Sequence, residues 1–227
     1  MRIHADLTLR AVVHGEQLPW LQSPASGVSR RMLERDGREA ARATSIVRYA
    51  AGARFDTHVH QLGEEIFVLD GTFCDEHGRY GPGTYLHNPP GSSHAPWSDE
   101  GCTLWVKLRH MQSGDLRRGV VDTREARWWP GLVPGLTVMP LHEFASEHTA
   151  LVRWDPGTRF RSHRHWGGEE IFVLEGVFED EHGVYPAGTW LRSPHLSEHQ
   201  PFTQHGCTVL VKTGHLDTAG ASLAEAG

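Results

Sequence analysis

An all-β protein made of two similar units is what this sequence predicts, and three observations on its 227 residues carry the prediction. Residues 52–110 and 157–215 are copies of one another at a constant offset of 105. The apolar runs between glycines and prolines are only four to eight residues long, the rhythm of a sandwich or barrel rather than of helices. Asp75-Glu76-His77-Gly78 and its copy Asp180-Glu181-His182-Gly183 have the composition of hairpin turns.

Along the chain, Trp20, Gly27 and Leu33 match Trp128, Gly135 and Leu141 at an offset of 108, so each unit starts near one of these tryptophans and the second copy has lost three residues before Leu151. Residues 30–42 could form a short helix, as could the Ala-rich tail after Asp217, which is expected to fray. Residues 46–49, 66–69 and 103–106 predict strands. The hairpin turns leave His77 and His182 in solvent and place Gly78 and Gly183 where φ must be positive. Residues 115–127, charged and poor in apolar side chains, read as the connection, which divides the chain into units 1–118 and 119–227.

The formal net charge is -6 and the basic residues are dispersed, so no cationic stripe is present to neutralise phosphates and nucleic acid is not an expected partner. The first residues hold no apolar segment of a secretory signal, and no run of about 18 apolar residues exists to cross a membrane, so a soluble, cytoplasmic protein is expected. Cys74, Cys102 and Cys207 form an odd number without a C-x-x-C pair and are read as reduced, buried residues. Dimerisation through strand edges or unit faces is compatible with this composition.

Histidine is the unusual residue, at 17, and the repeat matches most of them in pairs. In the first copy His58 and His60 alternate, Glu64 follows four residues later and His94 closes a set of four; in the second copy the set is His163, His165, Glu169 and His199. Alternate residues of a strand share a face, so each H-x-H pair aims two imidazoles at one point. A carboxylate from the next strand and a later histidine complete a mixture that borderline transition metals prefer. A lone H-x-H is weak evidence, but the full set occurs twice in identical spacing. Burying these groups without a cation would cost several kcal/mol per site. Glu64 and Glu65, like Glu169 and Glu170, point to opposite faces, and Glu64 and Glu169 are read as the inward ones, with Ile66 and Val68 on the same face.

The spacing resembles the cupin superfamily. The first unit reads Gly52, five residues, His58-Val59-His60, three residues, Glu64, six residues, Gly71, then Gly83, five residues, Pro89-Pro90-Gly91, two residues, His94. The second repeats it except that Leu196 replaces the second-motif glycine, a departure expected to reshape the turn before His199 without moving the ligand. Gly63-Glu64-Glu65-Ile66-Phe67-Val68-Leu69 and Asn88-Pro89-Pro90-Gly91-Ser92-Ser93-His94 are similar to the ChrR-type cupin group, whose namesakes are anti-sigma factors with a stress-sensing cupin-like domain and a separate zinc domain. The resemblance implies two tandem jelly-roll (double-stranded β-helix) barrels, each holding a divalent metal, up to two per chain. The H-x-x-x-C-x-x-C motif of the zinc domain is missing, so sigma-factor binding is not expected.

Two functions follow from the resemblance. One is a metal-dependent small-molecule enzyme of dioxygenase type, with Fe(II) holding two open positions beside four protein ligands; nickel and manganese also suit the set. Tyr85, Trp190, Phe67 and Phe172 are candidates for apolar walls of its cavity, although core packing suits each of them better. The other is a non-catalytic zinc-binding sensor or regulatory module, with a closed tetrahedral site and the matched thiols Cys102 and Cys207 as its reactive candidates.

Overall fold

The computed structural model describes residues 1–216, and the tail read as helical after Asp217 lies outside the described residues. Strand follows strand almost without interruption, and a single 3-10 turn, Gly15–Gln17, is the only helical element among them. In the first unit one large antiparallel sheet runs in the order Arg2–Ile3, Val28–Asp36, Arg42–Tyr49, Cys102–Leu108, Glu64–Gly71, Thr84–Asn88, Gly119–Asp122. Two ribbons complete the jelly roll: His58–His60 pairs with Ser92–His94, and Phe73–Asp75 with Gly78–Tyr80. The second unit has the same plan, with Glu169–Asp180 and Cys207–Thr213 central and His163–Arg164 paired with Glu198–His199.

The central strands are buried on both faces, so their burial is continuous rather than alternating. On Glu64–Gly71 the side chains of Ile66 and Val68 face inward and join Leu86, Leu104 and Val106 in one apolar cluster. Its counterpart gathers Ile171, Val173, Leu191 and Val209. Each such side chain contributes about 1.5–3 kcal/mol through area removed from water. Phe67, Tyr85, Phe172 and Trp190 are buried too but line neither cavity, so they are core residues.

Four expectations are corrected. Residues 30–42 are not helical: Val28–Asp36 and Arg42–Tyr49 are paired strands, because tertiary pairing outweighs the helix propensity of Arg, Met, Leu and Glu. Gly78 and Gly183 are absent from the positive-φ glycines; each closes a hairpin where a Cβ would stand 3.1 or 2.9 Å from the hydroxyl of Tyr80 or Tyr185. Leu196 does not reshape its turn, since it takes φ 62 where Gly91 has φ 83, and both residues donate N–H to the matching carbonyls, His60 and His165. Residues 115–127 are not a free connection, because Gly119–Asp122 pairs with Thr84–Asn88 as the last strand of the first sheet.

The units therefore divide differently from a cut between 118 and 119. The first comprises residues 1–5 and 17–126, the second 6–16 and 127–216 of the described chain. Ala11–His14 precedes the first copy in sequence yet pairs with Thr189–Ser193 of the second unit. A strand goes where an edge accepts its hydrogen bonds, and sequence order does not decide which edge that is.

Candidate metal centres

The short ribbon His58–His60 places His58 and His60 on one side, and its partner strand brings His94 directly opposite His58. Nε2 of His60 lies 3.0 Å from Nε2 of His94, and Glu64 Oε2 lies 3.3 and 3.5 Å from them. His58 closes the group, its ring centroid 4.8 Å from His60 and 5.0 Å from His94. In the second unit the Nε2 atoms of His165 and His199 are 2.9 Å apart, with Glu169 Oε2 at 3.5 and 3.6 Å, and His163 completes the set. The structure brings all eight sequence-predicted residues into two clusters of four. Glu65 and Glu170 face away, within 3.1 Å of His110 and 3.3 Å of His215.

The donors fit a cation. Nδ1 of His58 and of His163 sits 2.9 and 3.0 Å from the backbone oxygens of Asp56 and Arg161, which hold Nδ1 protonated and leave Nε2 a lone pair. Two imidazole lone pairs 3.0 Å apart repel unless a proton or cation lies between them. That separation corresponds to about 90° at an ion about 2.1 Å from each nitrogen. Burial lowers the pKa of His60, partly offset by Glu64, and lowers that of His165 to about 3, aided by His199 and His163. Buried neutral imidazoles are what metal ligation requires.

Asp75 and Asp180, read from the sequence as turn residues, reach the clusters. Burial works against their charge, but hydrogen bonds from His94 or His199 and from the turn outweigh it and hold Asp180 down at about 2, with Asp75 lowered as well. Oδ2 of Asp75 lies 3.4 Å from His94 Nδ1, and Oδ2 of Asp180 lies 3.5 Å from His199 Nδ1. Their Oδ1 atoms accept from the backbone of His77 or His182 and from Tyr80 or Tyr185. Arg118 at 3.4 Å and Arg10 at 3.2 Å complete the arrangement, each immediately before an edge strand. The carboxylate behind each closing histidine fixes its ring and raises its basicity, so burial notwithstanding both His94 and His199 are raised in pKa. The 105 offset of the two aspartates and the 108 offset of the two arginines were the available signals.

The surroundings differ. The first cluster opens on a cavity of about 390 Å³, walled by Val47, Tyr49, Phe55 and Leu104 and edged by Arg30, Arg35 and Arg109. The second opens on about 180 Å³ lined mainly by apolar residues such as Trp154, Phe160, Val152 and Val209. Asn88 donates to Glu64 Oε2 at 3.0 Å, whereas Ser193 stands opposite Glu169. Burial pushes the Cys102 and Cys207 thiols up to about 11 and about 12, which keeps them protonated and unreactive.

Residues 8–112 and again 116–217 match the ChrR cupin-like domain. The chain belongs to the ChrR cupin-like family. This bicupin shares its fold with a provisionally assigned dioxygenase from Nostoc punctiforme, at TM-score 0.77 and 14% identity over 92% of this chain and 84% of that one. Protein YlbA from E. coli gives TM-score 0.70 and 14% identity over 93% of each chain. A variant of Bacillus subtilis oxalate decarboxylase gives 0.63 and 14% over 92% of this chain and 77% of that one. A search of the curated proteins returns no match. No helix among the described residues is long and apolar enough to cross a membrane.

Proposed function

We propose that this bicupin is a metal-dependent enzyme of dioxygenase type acting on a small molecule, with its chemistry in the first unit and a chiefly structural metal in the second. One observation carries the reading: the same four donors face a cavity of about 390 Å³ with polar and apolar walls in one unit and about 180 Å³ of mainly apolar space in the other. The larger volume lies within the range of small-molecule sites.

A divalent cation held by His58, His60, Glu64 and His94 supplies Lewis acidity and, as iron, electron exchange with dioxygen. The chain's own residues do the rest. Asp75 orients His94, Asn88 orients Glu64, and the carbonyl of Asp56 orients His58. Tyr49, Phe55 and Phe73 wall the cavity and exclude water from one side of the cluster. A cytoplasmic setting and a small-molecule partner, rather than nucleic acid or a sigma factor, accord with this reading.

The test is metal analysis of the purified protein and of the His60→Ala and His165→Ala variants, with oxygen uptake measured on candidate substrates. Each variant is expected to lose one metal per chain, and only His60→Ala to abolish oxygen uptake. Closed tetrahedral zinc without exchangeable water in the first unit would instead point to the regulatory module.

A further inference from the structure

The cavity of the first unit carries a cationic edge that the second unit lacks. On Val28–Asp36, Arg30 stands opposite Val47 and Met32 opposite Ser45, both partners being cavity-lining residues. The register then shifts between Met32 and Glu34, so that Arg35, of opposite parity, stands opposite Ala43 and still faces the cavity. The second unit has the same shift between Pro140 and His142, but Val138 and Glu143 occupy the places of Arg30 and Arg35. One irregularity of the sheet thus aims a cation inward in the first copy, whereas Glu143 of the second is exposed and does not line that unit's cavity.

Arg35 is 3% exposed, and its Nε is buried without a hydrogen-bond partner. Its guanidinium donates to the carbonyl of Arg38. Arg30 is matched by Glu39, which accepts two hydrogen bonds at 2.8 and 2.9 Å, while Arg109 donates to the amide oxygen of Gln61 at 2.9 Å. Neither Arg35 nor Arg109 has a carboxylate within ion-pair distance among the described residues. Burial, and then the charge of Arg30, lower the pKa of Arg35 against the opposing pull of Glu39, which also lines the cavity.

Arg109 also occupies strained backbone. Its φ is 56, whereas its counterpart Gly214 has φ 79. A Cβ on Gly214 would lie 1.9 Å from the Ser146 oxygen, so the second unit has no room for a side chain there. The first unit has three more residues before Ala43 and accommodates an arginine in a conformation that favours glycine.

We propose that the first unit's cavity is a carboxylate site, in which a small organic acid places its carboxylate on Arg35, in the field of Arg30 and Arg109, and extends the rest of the molecule toward the histidine cluster. The proposal builds on that cavity being the substrate site, and names the substrate class. A guanidinium matches a carboxylate with two parallel hydrogen bonds, and a cavity this size takes a molecule of metabolite dimensions.

Calorimetric titration tests it with succinate, 2-oxoglutarate and benzoate against succinamide and benzamide, on metal-loaded and chelator-treated protein. At least one acid is expected to bind in both states, with its amide counterpart at least about tenfold weaker. Arg35→Gln should weaken the acid at least about tenfold. Arg109→Gly separates the roles if Arg35→Gln fails to fold: it should raise the melting temperature by relieving φ while weakening the acid several-fold, and a merely structural arginine would not move the two in opposite directions. Equal binding of acid and amide, wild-type affinity in both arginine variants, or no binding by any probe overturns the proposal. Acid binding by a protein that takes up no metal at the histidines when iron, zinc, nickel or manganese is supplied overturns the metalloenzyme reading and leaves this one standing.

Discussion

In the first unit the histidine cluster faces about 390 Å³ of space with three arginines at its edge; in the second an equivalent cluster faces about 180 Å³ that is mainly apolar. The donors, the aspartate behind the closing histidine and the arginine behind that aspartate are held in common. What has diverged is the lining and the loop after residue 36, three residues longer in the first copy. Coordination demands donors at fixed separations and tolerates little change, whereas a cavity wall can exchange cation for valine or glycine at modest cost to the fold.

The largest effect that bears on this comparison should come from the carboxylates the units share. Asp75→Asn and Asp180→Asn should each lower metal affinity in their own unit about 10–100-fold, because the neutral amide no longer fixes and polarises the histidine. Competitive chelator titration measures it. An effect confined to one unit would show that the two centres are not equivalent even at their donors.

Acid should sharpen the comparison next. In metal-free protein His165, depressed to about 3 from an ordinary 6.5, contributes stability that is present above pH 6.5 and lost as the pH falls toward 3. Glu169 works the other way: burial, against the pull of His199, raises it to about 7 from 4.5, so its contribution is present below pH 4.5 and lost as the pH rises to 7. The two oppose each other between 4.5 and 6.5, where stability should stay nearly level. Below 4.5 it should fall, and below 3.8 Asp180, held at about 2, joins the decline. Metal needs neutral imidazole and ionised carboxylate, so the melting-temperature gain from added metal should shrink through the same acid range. Melting curves from pH 3 to 8, with and without chelator, check both statements; a metal gain unchanged at pH 4 would argue against histidine ligation.

The smallest effect concerns the turn where the copies differ without consequence for the site. Leu196→Gly should stabilise the second unit by roughly 1 kcal/mol by relieving φ 62, with metal content unchanged. Thermal denaturation reads this directly, and a loss of metal would show that the turn helps to position His199.

The donor sets were legible because H-x-H alternation and a constant 105 offset are local signals that survive without knowledge of the fold. Asp75 and Asp180 were hidden by their own second role, since a residue that closes a hairpin gives no hint that its other oxygen reaches a histidine 19 positions on. Arg35 could not be assigned a face because the register shift before Glu34 breaks the parity on which such assignments rest. The edge strands were missed for a different reason. Arg10-Ala11-Val12-Val13 and Arg118-Gly119-Val120-Val121 are copies at offset 108, but no local pattern tells a strand which sheet edge will accept it.

That exchange of edges governs how the chain can be made and divided. During synthesis the first barrel has all of its strands once residue 122 has emerged, while residues 11–14 wait for Thr189–Ser193 with their hydrogen-bonding groups unsatisfied. Expressing the halves separately from a cut at 118 leaves each barrel short of an edge and each fragment with an orphaned ribbon. A gene split that respects the architecture would have to carry codons 6–16 over to the second half while keeping codons 1–5 with codons 17–126.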